Sequence, residues 1–232
     1  MENNKVLILD DEDSIRQFMK INLEYQGYQT VEAATGEEAL RLFEEEDPAV
    51  AILDVMLPGI SGFDVCEAIR EKSPRTGIIM VSAKSQDIDK ILGLERGADD
   101  YIIKPFNPQE LILRVRSLMR RVNLSVDKPD KENAKTISDG PFTLDLYAKT
   151  FYKDQTEIDV TPTEFAILKN FIQNKGKAMT RDEIMEQTWG ENYSNDTKIV
   201  DVNIRRIRAK IEEDPAKPQF IETVWGTGYR WK

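Results

Sequence analysis

Two hydrophobic periods alternate along the first half of the chain. Short apolar or β-rich runs at Val6–Leu9, Gln29–Ala33, Val50–Leu53, Gly77–Val81 and Tyr101–Ile103 are separated by segments with helical spacing. Strands and helices in strict alternation predict stacked βαβ units, hence a parallel sheet covered by helices on both faces. Helix starts carry capping chemistry: Ser14-x-x-Gln17, Thr35-x-x-Glu38, and Asn107 with Pro108 and Glu110. Residues 122–140 lose the apolar period, are rich in Lys, Asp, Asn and Ser, and read as a flexible linker. The second half starts a different pattern at Pro141. Phe142/Leu144/Leu146, Phe151–Tyr152 and Glu157–Val160 predict short antiparallel strands. Capping boxes at Thr161-x-x-Glu164 and Thr180-x-x-Glu183 open two helices, and a third runs from about Asp196 to about Glu213. Phe220–Trp231, around Gly226-Thr227-Gly228, reads as a hairpin. The expected organisation is residues 1–121, a linker over 122–140, and residues 141–232.

Composition narrows the chemistry. The 232 residues include no histidine and one cysteine, Cys66. Serine–histidine and cysteine–histidine catalysis, common zinc sites and internal disulfides are thereby excluded. The longest apolar runs, Ala49–Leu53 and Ile78–Val81, are far too short to span a bilayer. Lys5, a short apolar run and two aspartates read as a buried strand rather than a signal peptide, so a cytoplasmic protein is expected. Net charge is −10 and unevenly spread. The first 121 residues hold 15 basic and 23 acidic side chains, the rest 17 and 19.

In a parallel sheet, ligands bind outside the carboxyl ends of the strands. The alternation places Asp10 and Asp11 just past strand one, Asp54 at the end of strand three, Ser82 at the end of strand four and Lys104 just past strand five. Carboxylates gathered in this way repel one another and suit Mg²⁺, which prefers a few carboxylates plus water and phosphate. Lys104 balances charge and can grip an anion, and Ser82 can donate a hydrogen bond to it. With Asp54 as nucleophile, the set reads as phosphoryl transfer to a carboxylate. Acids at strand ends also serve simply as helix caps, and Asp13 fits that role.

On a helical wheel, Ile204, Ile207 and Ile211 fall within about 40° of Val200, a clean core stripe. The opposite face holds Lys198, Val202, Arg205, Arg206 and Ala209. Arginines there can reach guanines or phosphates, and Val202 a thymine methyl. Asn203, nearer the stripe, can read adenine or a backbone. A solvated amphipathic helix would share this pattern.

Several segments carry a resemblance. Val6–Glu12 (VLILDDE), Leu53–Gly59 (LDVMLPG), Val81–Lys84 (VSAK) and Gly97–Phe106 (GADDYIIKPF) resemble the receiver domain of two-component response regulators. Thr161–Phe165 (TPTEF), Val200–Arg208 (VDVNIRRIR) and Thr223–Arg230 (TVWGTGYR) resemble the winged-helix effector domain of the OmpR/PhoB type. The fold implied is α/β: a flavodoxin-like (βα)5 receiver domain followed by a winged helix-turn-helix domain. The resemblance implies that Asp54 accepts phosphate from a sensor histidine kinase. It implies Mg²⁺ on Asp11, Asp54 and the Met56 carbonyl, with Asp10 acting through water. Lys104 would contact the phosphoryl oxygens, Ser82 and Tyr101 would form a switch pair, and Lys104–Pro105 would be a cis peptide.

By the same resemblance, Lys90, Asp99, Asp100, Glu110, Arg114 and Arg116 would line a face of the fourth helix, fifth strand and fifth helix that pairs two phosphorylated copies. Arg206 and Asn203 would reach base edges of promoter DNA. Lys198, Arg205 and Arg208 would mainly touch phosphate, and the wing with Thr227, Gly228, Tyr229 and Arg230 would enter the minor groove. Trp225 stands where some relatives carry a basic wing residue. The half-sites would be direct repeats, and the Trp189–Asn195 loop could meet RNA polymerase. Such a protein is not an enzyme beyond its own phosphorylation and dephosphorylation at Asp54. Two rival readings stay open. One is a DNA binder indifferent to phosphorylation. The other is a Mg²⁺-dependent phosphatase or phosphotransferase, though that class usually carries an acid where Met56 stands.

Overall fold

The computed structural model describes residues 3–83, 87–123, 136–190, 193 and 197–232. The chain divides into two compact units, Met1–Asn123 and Leu124–Lys232.

In the first unit the elements are β1 (Lys5–Leu9), α1 (Asp13–Tyr25), β2 (Gln29–Ala33), α2 (Gly36–Glu46), β3 (Val50–Asp54), α3 (Gly62–Lys72), β4 (Gly77–Ser82), α4 (Asp87–Glu95), β5 (Asp100–Ile103) and α5 (Pro108–Val122). The strands form one parallel sheet in the order β2-β1-β3-β4-β5. This is the flavodoxin-like arrangement. Every residue of β3 and β4 is buried. Helices cover both faces of such a sheet, so its central strands read as apolar runs without alternation. Val6, Ile8, Ile52, Ile79, Val81, Val115 and Leu118 share one apolar cluster.

Local chemistry sets most of the helix starts. Asn107 accepts a hydrogen bond from the Glu110 amide, with Pro108 in the first turn. Thr35 caps α2 through the Glu38 amide. The capping box expected at Ser14 does not form. Helix α1 begins at Asp13 with Glu12 at its cap position and no side-chain cap. The turn before it is already held, because Asp10 Oδ1 accepts from the Glu12 amide and Arg16 reaches the Asp10 carbonyl and Asp13.

The second unit contains β6 (Thr136–Asp139), β7 (Phe142–Asp145), β8 (Thr150–Lys153), β9 (Thr156–Ile158), α6 (Pro162–Gln173), β10 (Ala178–Thr180), α7 (Arg181–Trp189), α8 (Lys198–Ile211), β11 (Ile221–Val224) and β12 (Gly228–Trp231). Strands β6 to β9 form an antiparallel meander; β10, β12 and β11 form a second antiparallel sheet. Phe142 stacks on Phe151 and meets Phe220 and Trp231 edge-on, fastening the meander to the second sheet. Both predicted capping boxes of this unit are present.

Two elements differ from the sequence expectation. Strand β6 occupies part of the stretch read as linker. It is polar with one apolar residue, Ile137, and is held by pairing with β7 and by Trp231 Nε1 donating to Asp139 at 2.7 Å. Strand β10 turns the predicted C-terminal hairpin into a three-stranded sheet. At the other end of the linker stretch, Val122 closes α5. Lys84, Asp196 and most of the loop through Asn195 lie outside the described residues.

Candidate functional site

The ends of β1, β3, β4 and β5 meet at one edge of the first sheet. Register fixes this: Leu9 pairs with Leu53, Asp54 with Val81, and Ser82 with Ile103. Asp10, Asp11, Asp54, Ser82 and Lys104 therefore converge. Asp10 and Asp54 are buried and Asp11 is exposed, yet each can offer one carboxylate oxygen within 4.8 Å of the others. Lys104 Nζ lies 2.6 Å from Asp54 Oδ2 and 2.7 Å from Asp10 Oδ2. The Met56 amide donates to Asp54 Oδ1 at 2.9 Å. Helix α3 closes on the backbone here. A Cβ on Gly62 would sit 1.8 Å from the Asp54 carbonyl oxygen, so only glycine permits that approach. The Lys104–Pro105 bond is cis.

Burial, then the neighbouring Asp54 charge, push the Asp10 carboxyl above its usual range against the pull of Lys104. Burial alone would lower the Lys104 ammonium; its bonds to Asp10 and Asp54 outweigh that and raise it. Three carboxylates face one ammonium, which leaves an excess of hard negative oxygen. That donor set fits a small divalent cation such as Mg²⁺. Ser82 is fully buried at the end of β4. Tyr101 is buried on β5, with its ring packed beside Gly93 of α4.

Of the residues expected on the α4–β5–α5 face, Asp99, Asp100 and Arg114 are buried. Asp99 points inward. It pairs with Arg70 at 3.0 Å and accepts from the Ile78 amide, because β5 begins where α3 and β4 enclose it. Asp100 and Arg114 are buried and pair with each other at 3.0 Å, and Arg114 also holds Glu110 at 2.7 Å. Arg116 is exposed and reaches Gln26, while Lys90 and Glu110 are half-buried.

Helix α8 is more enclosed than its single stripe suggested. The stripe Val200, Ile204, Ile207 and Ile211 is buried as expected, and Ile199, Val202 and Asn203 are buried with it. Asn203 donates from Nδ2 to the Ile199 carbonyl at 2.8 Å, so its amide serves the helix instead of facing outward. Val202 presents little methyl surface to solvent, because the first two turns are covered on a second side. Arg206 is turned toward α6: its Nε lies 3.0 Å from Glu164, which also holds Lys210 at 2.6 Å. Arg208 donates to the Ile221 carbonyl and to Thr223 Oγ1, tying α8 to β11. Lys198 and Arg205 are the exposed basic residues of the helix.

In the wing, Tyr229 is buried and its hydroxyl donates to Asp201 at 2.8 Å; Gly228 is buried too. Arg230 and Lys232 both pair with Glu222. Thr227 is exposed at the turn. Most of these differences share one cause. Arg206, Arg208, Tyr229 and Asp99 each found a partner on another element, which a wheel drawn for one helix does not contain, whereas Asn203 turned back onto its own helix.

Residues 6–116 match the family model "Response regulator receiver domain", and residues 155–231 match "Transcriptional regulatory protein, C terminal". A probable transcriptional regulator, ycf27, of Porphyridium aerugineum is 41% identical over 231 residues, covering 99% of this chain and 96% of the relative. The alkaline phosphatase synthesis transcriptional regulatory protein PhoP of Bacillus subtilis is 40% identical over 233 residues, covering 98% and 96%. The chain is a response regulator of the OmpR/PhoB type. The crystal structure of DrrB, an OmpR/PhoB homolog from Thermotoga maritima, shares 34% identity with this regulator over 98% of each chain, with a TM-score of 0.52. A RitR mutant shares the fold, at 24% identity and a TM-score of 0.77 over 99% of each chain. The regulator thus joins a receiver domain to a DNA-binding domain in the service of transcription. No helix among its described residues is long and apolar enough to cross a membrane.

Sequence reasoning missed three side chains that organise these surfaces. Arg70 gathers the carbonyls of Pro74, Thr76 and Gly97 as well as Asp99. Glu164 was visible only as a cap, although it is also the buried anchor of α8. Asp201, an acid on a basic helix, had no assigned role; it joins Tyr229 to Arg181.

Proposed function

We propose that this regulator is switched by phosphorylation of Asp54 and then pairs with a second copy on promoter DNA. The observation carrying the proposal is the acidic edge, where three carboxylates from adjacent strand ends share one lysine. The Asp54 carboxylate oxygen attacks phosphorus on a phosphohistidine of a sensor kinase. The P–N bond breaks, and its electron pair leaves with the imidazole. Asp10, Asp11, Asp54 and the Met56 carbonyl would hold Mg²⁺, which when bound offsets the charge gathered on the phosphoryl oxygens. Lys104 exchanges its grip on the Asp54 carboxylate for the transferred group. Ser82, at the end of β4, donates to it, and Tyr101 follows. The aspartyl phosphate forms and is later hydrolysed on the chain itself, which acts on no substrate beyond its phosphodonor.

Pairing then uses the α4–β5–α5 face, with Lys90, Glu110 and Arg116 at its surface and the Asp100–Arg114 pair beneath. On DNA, Lys198 and Arg205 supply phosphate contacts, and two copies engage direct-repeat half-sites next to RNA polymerase. The setting is the cytoplasm, where kinase phosphohistidine and DNA are both present.

The test is the solution mass of the protein with Mg²⁺ and beryllofluoride, a mimic of the phosphoryl group. The expected result is a doubling that is lost in Asp54→Asn. An unchanged mass in the wild type would overturn phosphorylation-driven pairing.

A further inference from the structure

Trp225 is 91% exposed at the tip of the β11–β12 hairpin, whereas the chain's other tryptophans, Trp189 and Trp231, are buried. An exposed indole offers a large apolar face that gains free energy when a partner covers it. Its presentation is rigid. The Thr227 amide donates to the Val224 carbonyl at 3.0 Å, and Gly226 has φ +76°, so residues 224–227 form a type II turn with Trp225 at the second position. The hairpin stem is tied to α8 in two places. Tyr229 donates to Asp201 on α8, with the Arg181 and Arg208 guanidiniums 5.0 and 5.5 Å from its ring centre. Arg208 bonds across to Ile221 and Thr223. The indole is therefore held at a fixed offset from Lys198 and Arg205.

Charge separates the tip from the rest of this surface. The segment 223–228 carries no ionisable side chain, and Arg230 and Lys232 in the stem are both matched by Glu222. If the hairpin meets DNA, it brings no cation to the phosphates. What it brings is a flat apolar ring at the tip of a hairpin whose stem is bonded to α8.

We propose that Trp225 is a wedge that enters the minor groove and stacks against an unstacked base step. Apolar side chains inserted in this way kink the duplex, and pyrimidine–purine steps yield most easily. The wing thereby reads deformability at a set distance from the α8 contacts. This inference rests on the reading of α8 and the hairpin as the DNA-contacting face.

The experiment uses the full-length protein and duplexes it selects from a randomised pool. Emission of Trp225 is isolated by subtracting the spectrum of Trp225→Phe, since the buried tryptophans contribute equally to both. The expected result is strong quenching on binding and a pyrimidine–purine step at constant spacing in the selected sequences. Trp225→Ala should weaken binding about tenfold or more with an unchanged salt slope, and Trp225→Phe should restore most of the affinity. A blue shift without quenching would place the ring against a groove wall and overturn the wedge. So would unchanged emission with full affinity in Trp225→Ala. Failure to enrich any duplex would instead overturn the DNA-face reading itself, and the wedge with it. Trp225 is exposed, so its variants fold, and a melting curve verifies this.

Discussion

Lys104 and Asp54 are bound to each other across 2.6 Å, although they stand fifty residues apart and at the ends of different strands. The same ammonium holds Asp10. In the proposed mechanism, Lys104 and a divalent cation would compete for the same oxygens before phosphorylation and act together on the phosphoryl group after it. Lys104→Met should bind Mg²⁺ about tenfold more tightly than the wild type, because one positive charge has left the site. It should also accept a phosphoryl group about a hundredfold more slowly, because a cation aimed at the transferred oxygens is missing. Calorimetric titration with Mg²⁺ and the rate of labelling by a small phosphodonor measure the two effects. Loss of both Mg²⁺ binding and labelling would show that Lys104 merely holds the fold.

Glu164 distinguishes the two neighbouring arginines of α8: Arg206 pairs with it and Arg205 is exposed. The glutamate is completely buried and holds Arg206 and Lys210. Glu164→Gln should destabilise the protein by about 3–5 kcal/mol, the usual result of breaking a buried ion pair from one side. Arg206→Ala should lower the melting temperature in the same way, whereas Arg205→Ala should leave it unchanged and weaken DNA binding. Equal melting temperatures for the two arginine variants would refute the assignment.

The same glutamate gives a pH dependence. Burial raises its pKa, but Arg206 and Lys210 outweigh burial and hold the carboxyl below its ordinary value of 4.5. A depressed acid contributes stability above its unfolded pKa and loses it as pH falls through the folded one. Thermal stability should therefore drop on acidification below about pH 4.5, and this contribution should vanish in Glu164→Gln. Parallel melting curves of the two proteins across that range would contradict it.

How much of this was legible in the residues depends on the scale of the signal. The acidic edge was visible because a parallel sheet makes every β-to-α junction fall on one side, so Asp10, Asp54, Ser82 and Lys104 are placed by chain order alone. The α8 surface was only half visible. Periodicity identified the stripe of Val200, Ile204, Ile207 and Ile211, but it says nothing about what stands opposite Arg206 or Asn203. Strand β10 was invisible for another reason. Three residues cannot establish a period of two, and Ala178–Thr180 becomes a strand through its pairing with β12.

Asp99 offers a test of one such misplacement. Its carboxylate meets Arg70 and the Ile78 amide inside the first unit. Asp99→Ala should cost about 3–5 kcal/mol in urea denaturation, since Arg70 loses its counter-charge in a buried setting. A variant with wild-type stability and impaired pairing would return Asp99 to the dimer face.

The salt dependence of binding counts the phosphate contacts. Lys198→Ala and Arg205→Ala should each reduce the slope of log affinity against log salt by about one. An unchanged slope in both would remove α8 from the phosphate backbone.

Gly62 has a mechanical consequence. Because α3 rests against the carbonyl of Asp54, the strand end has no room to shift toward that helix. Were Asp54 to carry a phosphoryl group, as proposed above, the added bulk would be taken up on the side where Ser82 and Lys104 stand, at the ends of β4 and β5. The absence of a single methyl group would thus give that push its heading.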